Sequence, residues 1–122
     1  MRSVAHHDFN VQANRDERGV VISVSGELDL ATSPVLEAAL TRAGAAPGDR
    51  VILDLRKVSF MDSTGLCVLV KAQLQATESS QDLVVIPGGD QVRRLLNLTG
   101  VAKRLTLIDA PEQLPGADSG SY

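Results

Sequence analysis

Aromatic residues are scarce in this chain, and basic residues do not outnumber acidic ones. Phenylalanine, tyrosine and tryptophan make up 2% of the 122 residues, and tryptophan is absent. The 12 lysines and arginines stand against 15 acids, which gives a net charge of −3. A nucleic-acid binder that stacks bases needs aromatic platforms and a basic face. The composition therefore argues against direct binding to DNA or RNA.

Long apolar runs and paired cysteines are also absent. The longest uninterrupted apolar segment is Leu66–Val70, far short of the roughly 20 residues that a membrane helix needs. Residues 1–8 lack the apolar stretch of a signal peptide, so neither a leader nor a membrane span is expected. Cys67 is the sole cysteine, which excludes an internal disulfide and fits a reducing cytoplasm. Its place in the apolar run predicts a buried, unreactive thiol.

The aliphatic content, within 43% hydrophobic residues, is enough for the core of one domain. Alternating patterns predict a hairpin from Phe9–Ala13 and Val20–Ser25, joined by a polar loop over residues 14–19. The nearly continuous apolar segments Val51–Leu55 and Leu83–Ile86 are typical of parallel strands covered on both faces. A last short strand is predicted at Leu105–Ile108.

Apolar periodicity predicts three helices. The first follows Thr32 or Ser33 as its cap, with Pro34 as the first helical residue. The second covers Ser63–Ala76, and the third is short and is capped by Asp90. Their core-facing positions are Leu36, Ala39, Leu40 and Ala43; Leu66, Leu69, Val70, Gln73 and Leu74; and Val92, Leu95 and Leu96. The sequence therefore predicts a single α/β domain, with a mixed sheet of four to five strands and helices packed on it.

The junction between the third strand and the second helix, Asp62–Gly65, carries two hydroxyls and a carboxylate. A helix N-terminus has unpaired N–H groups and a partial positive charge, so it tolerates a phosphate. Two compatible interpretations stay open: Asp62 or Ser63 caps the helix, or the junction exposes an acceptor for phosphate. Gly65 either relieves a steric conflict at a tight turn or lets another surface approach closely.

Catalytic and metal-binding chemistry finds little support in the sequence. Nucleophilic catalysis by Ser63 needs a base such as histidine, yet the only histidines, His6 and His7, precede the first strand. Asp29 and Asp62 are expected to end strands of the same sheet, but their spacing does not make them an acid–base pair. Metal-ligand spacings and phosphate-loop fingerprints are absent. We therefore predict no enzyme activity, no cofactor and no metal.

Two motifs resemble those of the STAS domain family, and of the bacterial anti-sigma factor antagonists in particular. Residues 26–29, with the sequence GELD, are similar to the segment that leads into the first helix of that family. Residues 62–66, with the sequence DSTGL, are similar to its DSxGL junction. The resemblance covers about residues 8–109, which are predicted as the domain. Residues 1–7 and 110–122 are expected to be flexible termini.

The resemblance implies a regulatory function in the cytoplasm. In that family the unphosphorylated antagonist binds an anti-sigma factor that is also a serine kinase, and so frees a sigma factor. The kinase inactivates the antagonist by phosphorylating the serine after the aspartate, and a phosphatase resets it. The matching acceptor is Ser63, and the implied partner-binding residues are Asp29, Asp62, Ser63, Thr64 and Gly65. Thr64 is a second, lower-ranked acceptor.

Three other functions stay open. A STAS-type module that senses a nucleotide or another small ligand, with no kinase partner, predicts a pocket near Asp29 and Ser63. An enzyme predicts polar groups converging on Ser63 with a strongly perturbed pKa. A scaffold in a larger sensory complex needs no phosphorylation, and the intact Ser63 argues against it. Cys67 departs from the glycine found there in many family members, which bears on helix packing.

Overall fold

The computed structural model describes residues 9–44 and 50–114. The strands are β1 (Asn10–Asp16), β2 (Gly19–Leu28), β3 (Val51–Met61) and β4 (Leu83–Ile86). The helices are α1 (Ser33–Gly44), α2 (Ser63–Glu78) and α3 (Asp90–Leu98), followed by short 3-10 turns at Val101–Arg104 and Pro111–Gln113. The strands form one mixed sheet in the order β1-β2-β3-β4, which confirms the predicted fold class. His6 and His7 lie outside the described residues.

The N-terminal hairpin is confirmed, but its turn is shorter than predicted. β1 and β2 pair antiparallel as far as Asp16 opposite Gly19, which leaves Glu17 and Arg18 as the turn. The other polar residues of the predicted loop, Asn14, Arg15 and Asp16, are strand residues at the exposed edge of the sheet. Gly19 has a φ of +135°, and a side chain there would collide with the carbonyl oxygen of Arg50. Exposure of β1 explains why its polar end resembles a loop in the sequence.

The central strands form the predicted parallel layer. β2 pairs parallel with β3, and β3 pairs parallel with β4, so β3, α2 and β4 make the expected βαβ unit. All four residues of β4 are buried, as expected for a strand covered on both faces. β3 continues six residues beyond the predicted end and, through two register shifts, stays paired with β2 to Leu28 and Met61. These two strands therefore end side by side.

The predicted strand at Leu105–Ile108 is wrong in extent. Leu107 makes an isolated parallel bridge with Val85, in which the Val85 N–H donates to the Thr106 carbonyl and the Ile108 N–H donates to the Val85 carbonyl. The residues just outside this bridge have other partners. The N–H of Leu105 donates to Ala102 in the preceding turn at 3.4 Å, and the N–H of Asp109 donates to the side chain of Gln113 at 2.6 Å. The bridge cannot lengthen because the backbone on either side of it is already hydrogen-bonded.

The helices follow the predicted pattern with two exceptions. The α1 positions Leu36, Ala39 and Ala43 are buried, but Leu74 of α2 is 58% exposed, because the inward position at that end is Ala76. Asp90 is the first residue of α3 rather than its cap. Gly89 occupies the cap position, so no side chain caps this helix. Across the described parts of the chain, every helix is too short or too polar to span a bilayer.

Candidate functional site

The two sequence motifs meet where β2 and β3 end. The backbone N–H of Asp62 donates to the carbonyl oxygen of Leu28 at 3.1 Å. Oδ1 of Asp62 then accepts from the N–H groups of Thr64 at 2.9 Å and Gly65 at 3.3 Å. Asp62 is therefore the cap of α2. One residue both ties α2 to the sheet edge and satisfies two N–H groups at the start of that helix.

Ser63 is the first residue of α2, and its side chain is exposed. Because Asp62 makes the cap, the Ser63 hydroxyl is not needed to hold the helix start. Thr64, the lower-ranked acceptor, is half-buried. Ser63 is therefore more accessible to another protein than Thr64 is.

Gly65 is buried beneath the ends of the two strands. A Cβ at this position would lie 2.9 Å from Cγ and Cδ2 of Leu28 and 2.9 Å from Cγ of Met61. Of the two interpretations of this glycine, the structure supports the steric one. Because Gly65 has no side chain, α2 can pack closely on the ends of the two strands. This packing positions Asp62 and Ser63 at the surface.

Asp29 organises the turn that leads into α1. Its Oδ1 accepts from the N–H groups of Ala31 at 3.0 Å and Thr32 at 3.1 Å. The buried Thr32 hydroxyl donates to the carbonyl of Glu27 at 2.7 Å and accepts from the Asp29 N–H at 2.9 Å. This closed turn leaves Leu30 at its tip 74% exposed. Asp29 thus lies at the end of β2, directly beside the strand that delivers Asp62.

Gln91, at the start of α3, is a positioning residue that the sequence analysis missed. The N–H of Met61 donates to its Oε1 at 2.9 Å, and its Nε2 donates to the carbonyl of Met61 at 2.8 Å. β4 pairs with β3 only as far as Asp54, so Gln91 replaces a strand partner at the far end of β3. The available signal was the preceding glycine turn: Gly88, with a φ of +80°, packs against the backbone of Arg56.

Cys67 is exposed, so the prediction of a buried thiol is wrong. Within the apolar run, the buried residues are Leu66, Val68 and Leu69, and the helical period turns Cys67 to the other side. It lies one turn after Ser63 on α2.

Among the described residues, no group of three or more histidine, cysteine or acidic side chains is arranged to hold a metal.

Comparisons with known proteins identify the family of this chain. A family model described as "Mlab, STAS domain" matches residues 11–109. The anti-sigma-B factor antagonist of Listeria monocytogenes is 32% identical over 102 residues, which cover 84% of this chain and 90% of that protein. The anti-sigma-B factor antagonist of Staphylococcus aureus is 30% identical over 94 residues, which cover 77% of this chain and 87% of that protein.

A solved structure agrees with these sequence relatives. The crystal structure of an anti-sigma factor antagonist from Mycobacterium paratuberculosis is 30% identical, with a TM-score of 0.72 over 86% of this chain and 89% of that one. The chain therefore belongs to the STAS domain family, within the group of bacterial anti-sigma factor antagonists. The resemblance inferred from the GELD and DSTGL segments is confirmed.

Proposed function

We propose that this protein binds an anti-sigma factor that is also a serine kinase, and that phosphorylation of Ser63 ends the binding. The observation that carries the proposal is the exposed Ser63 at the start of a helix capped by Asp62. The sequence relatives named above are antagonists of anti-sigma factors, which supports this class of partner. The protein acts by binding rather than by catalysis, and we place this exchange in the cytoplasm.

The switch depends on what a phosphate does at a helix start. A phosphate adds a charge of about −1.5 to −2 and three acceptor oxygens, and the N-terminus of α2 accommodates this charge within the chain. A partner surface in contact with Asp29, Asp62 and Thr64 would have to desolvate that charge or face it with a like charge. Such a cost can reach several kcal/mol, and each 1.4 kcal/mol weakens binding about tenfold. A phosphatase then restores the binding form.

The test compares the native chain with Ser63→Asp in pull-downs from the cells that make it. The matched control is Ser59→Asp, because Ser59 is also exposed and lies near the end of β3. We expect the native chain and the Ser59→Asp variant to recover a protein kinase and Ser63→Asp to lose it. The purified kinase with ATP should then place phosphate on Ser63, located by mass spectrometry. Phosphate elsewhere, or undiminished binding by Ser63→Asp, would contradict the proposal.

A nucleotide-sensing module remains the alternative, because a groove of about 280 Å³ lies next to Ser63 and is lined by Leu30 and Thr64. Neither Asp29 nor Ser63 lines this groove, although the alternative predicts a pocket near both, which favours the protein partner. A thermal shift with ATP or GTP in the absence of any partner would support the alternative instead.

A further inference from the structure

A groove runs between α1 and α2 and begins beside Ser63. Six residues line the part nearest the site: Leu30, Ser33, Pro34, Thr64, Cys67 and Val68. At its other end, Nζ of Lys71 and Oε2 of Glu37 form an ion pair at 2.7 Å. This α1–α2 groove is mostly apolar, and the two charges at its end neutralise each other.

We propose that the α1–α2 groove binds an aliphatic side chain of the same anti-sigma factor that docks at Ser63. The inference rests on the proposed function, because a kinase must bring its own groups within hydrogen-bond reach of the Ser63 hydroxyl. Thr64 follows Ser63 directly, and Cys67, four residues after Ser63, lies about 6 Å from it along the helix axis. A partner that covers Ser63 therefore covers the rim of the groove as well.

The lining favours an apolar occupant over an anion. Leu30 is 74% exposed at the rim, and exposed apolar surface beside a docking site is typical of a contact with another protein. The ammonium group of Lys71 is already paired with Glu37, so a phosphate or a carboxylate would have to compete with that carboxylate for it. An aliphatic side chain would bury Leu30 and fill the apolar part of the groove without competing for this ion pair.

Ser33 supplies a second, independent indication of a ligand. It is 2% exposed, and its hydroxyl has no hydrogen-bond partner within the described part of the chain. Buried hydroxyls are almost always hydrogen-bonded. A backbone N–H or carbonyl group of the partner, beside the aliphatic side chain, would complete this bond once the Ser33 hydroxyl turns toward the groove.

The first test is a matched pair of leucine truncations. Leu30→Ala removes the rim side chain, and Leu98→Ala removes a side chain of similar exposure, 80%, on α3 and outside the groove. With the purified kinase, we expect Leu30→Ala to weaken binding by about tenfold or more and Leu98→Ala by less than about twofold. Both side chains are exposed, so both variants should unfold at the same urea concentration as the native chain.

The second test uses Cys67, the sole thiol of the chain, as a reporter. N-ethylmaleimide alkylates it when the thiolate adds across the maleimide double bond and the adjacent carbon takes a proton, so nothing leaves. We expect the bound kinase to slow this reaction at least about tenfold, because the partner covers the groove. Equal alkylation rates in the free chain and the complex would overturn the proposal, as would equal affinities of Leu30→Ala and Leu98→Ala.

These outcomes distinguish a failure of the groove proposal from a failure of the proposed function. If Ser63→Asp abolishes binding while Leu30→Ala binds normally and Cys67 stays reactive in the complex, the groove proposal fails and the proposed function stands. If the native chain neither binds a kinase nor gains phosphate on Ser63, both proposals fail.

Discussion

The hydrogen bond of 3.1 Å from the Asp62 N–H to the Leu28 carbonyl joins the two sequence motifs of this chain. Leu28 ends the first motif's strand, and Asp62 opens the helix of the second. The bond fixes the start of α2 against the sheet, and the Asp62 carboxylate then caps the helix from the same residue. The exposed hydroxyl of Ser63 is thus held on a rigid junction rather than on a free loop, which is how an accurately positioned docking site is built.

The cap predicts the cost of removing the Asp62 carboxylate. Asp62→Ala leaves the N–H groups of Thr64 and Gly65 without their acceptor, so we expect a loss of about 1 kcal/mol in the free energy of unfolding. Asp62→Asn keeps an oxygen at the cap and should lose only a few tenths of that. Urea unfolding of both variants measures the difference. An Asn variant as unstable as the Ala variant would show that the charge, and not the cap, matters.

The packing of Gly65 predicts that even one methyl group is too large there. In Gly65→Ala the new carbon meets Leu28 and Met61 at 2.9 Å, and overpacking of this kind costs about 1–3 kcal/mol. Gly89→Ala is the control, because nothing lies within 4 Å of the added carbon and its φ of −77° suits any residue. We expect the control to change unfolding by less than about 1 kcal/mol. Equal urea midpoints for the two variants would refute the steric role of Gly65.

The two hydrogen bonds of Gln91 predict a weakened end of β3 when its side chain is removed. Gln91→Ala leaves the N–H and carbonyl of the buried Met61 without those partners, which should cost about 1–3 kcal/mol. The Met61 amide should also exchange its hydrogen faster. Gln75→Ala, at an exposed position of α2, should do neither. Unchanged exchange at Met61 would show that water replaces the glutamine.

The junction itself was predictable from the sequence because its signals are local. A carboxylate followed by hydroxyls and a glycine, after a buried strand, indicates a capped helix start, and the structure confirms the cap at Asp62. The parallel strands were predictable for the same reason. All four residues of β4 are aliphatic, which is typical of a strand buried on both faces, and all four are buried. The length of β3 was not predictable, because its polar second half is a strand only through its pairing with β2.

Long-range contacts explain why the roles of Gln91 and Gly65 were not predictable from the sequence, whereas the exposure of Cys67 was. Gln91 is 30 residues from Met61, and the glycine turn before it does not by itself show that its amide group reaches β3. Cys67 was predicted as buried because the run Leu66–Val70 was treated as uniformly apolar; the helical period, applied residue by residue, places it outside. The steric role of Gly65 depends on Leu28, which a different motif supplies.

Asp54 predicts a specific pH dependence of stability. Burial raises the pKa of its carboxyl, but hydrogen bonds from the side chain and backbone of Arg56 outweigh this and lower the pKa below its usual value of 3.8. The unfolded chain therefore takes up a proton first as the pH falls. The stabilisation is present above about pH 4 and is lost as the pH falls through the folded-state pKa.

The measurement for Asp54 is urea unfolding between about pH 5 and pH 2. Asp54→Asn should make the decline in stability with acid shallower than in the native chain, because it removes the titrating group. Arg56→Gln should do the same, because it removes the partner that lowers the pKa. If either variant declined as steeply as the native chain, the acid sensitivity would belong to other carboxyl groups.

The position of Ser63 predicts that a negative charge there leaves the fold intact. Ser63→Asp places the charge at the first residue of α2, where the helix N-terminus favours it by about 0.3–1 kcal/mol, and the neighbouring Asp62 carboxylate offsets part of that gain. Unfolding in urea should therefore stay within about 1 kcal/mol of the native chain, and Ser63→Lys should be the less stable of the two variants. A stable Ser63→Asp chain that no longer binds its kinase has lost a contact and not its structure. If Ser63→Asp unfolded at much lower urea instead, its failure to bind would reflect the loss of the domain, and the charge would not act as a switch.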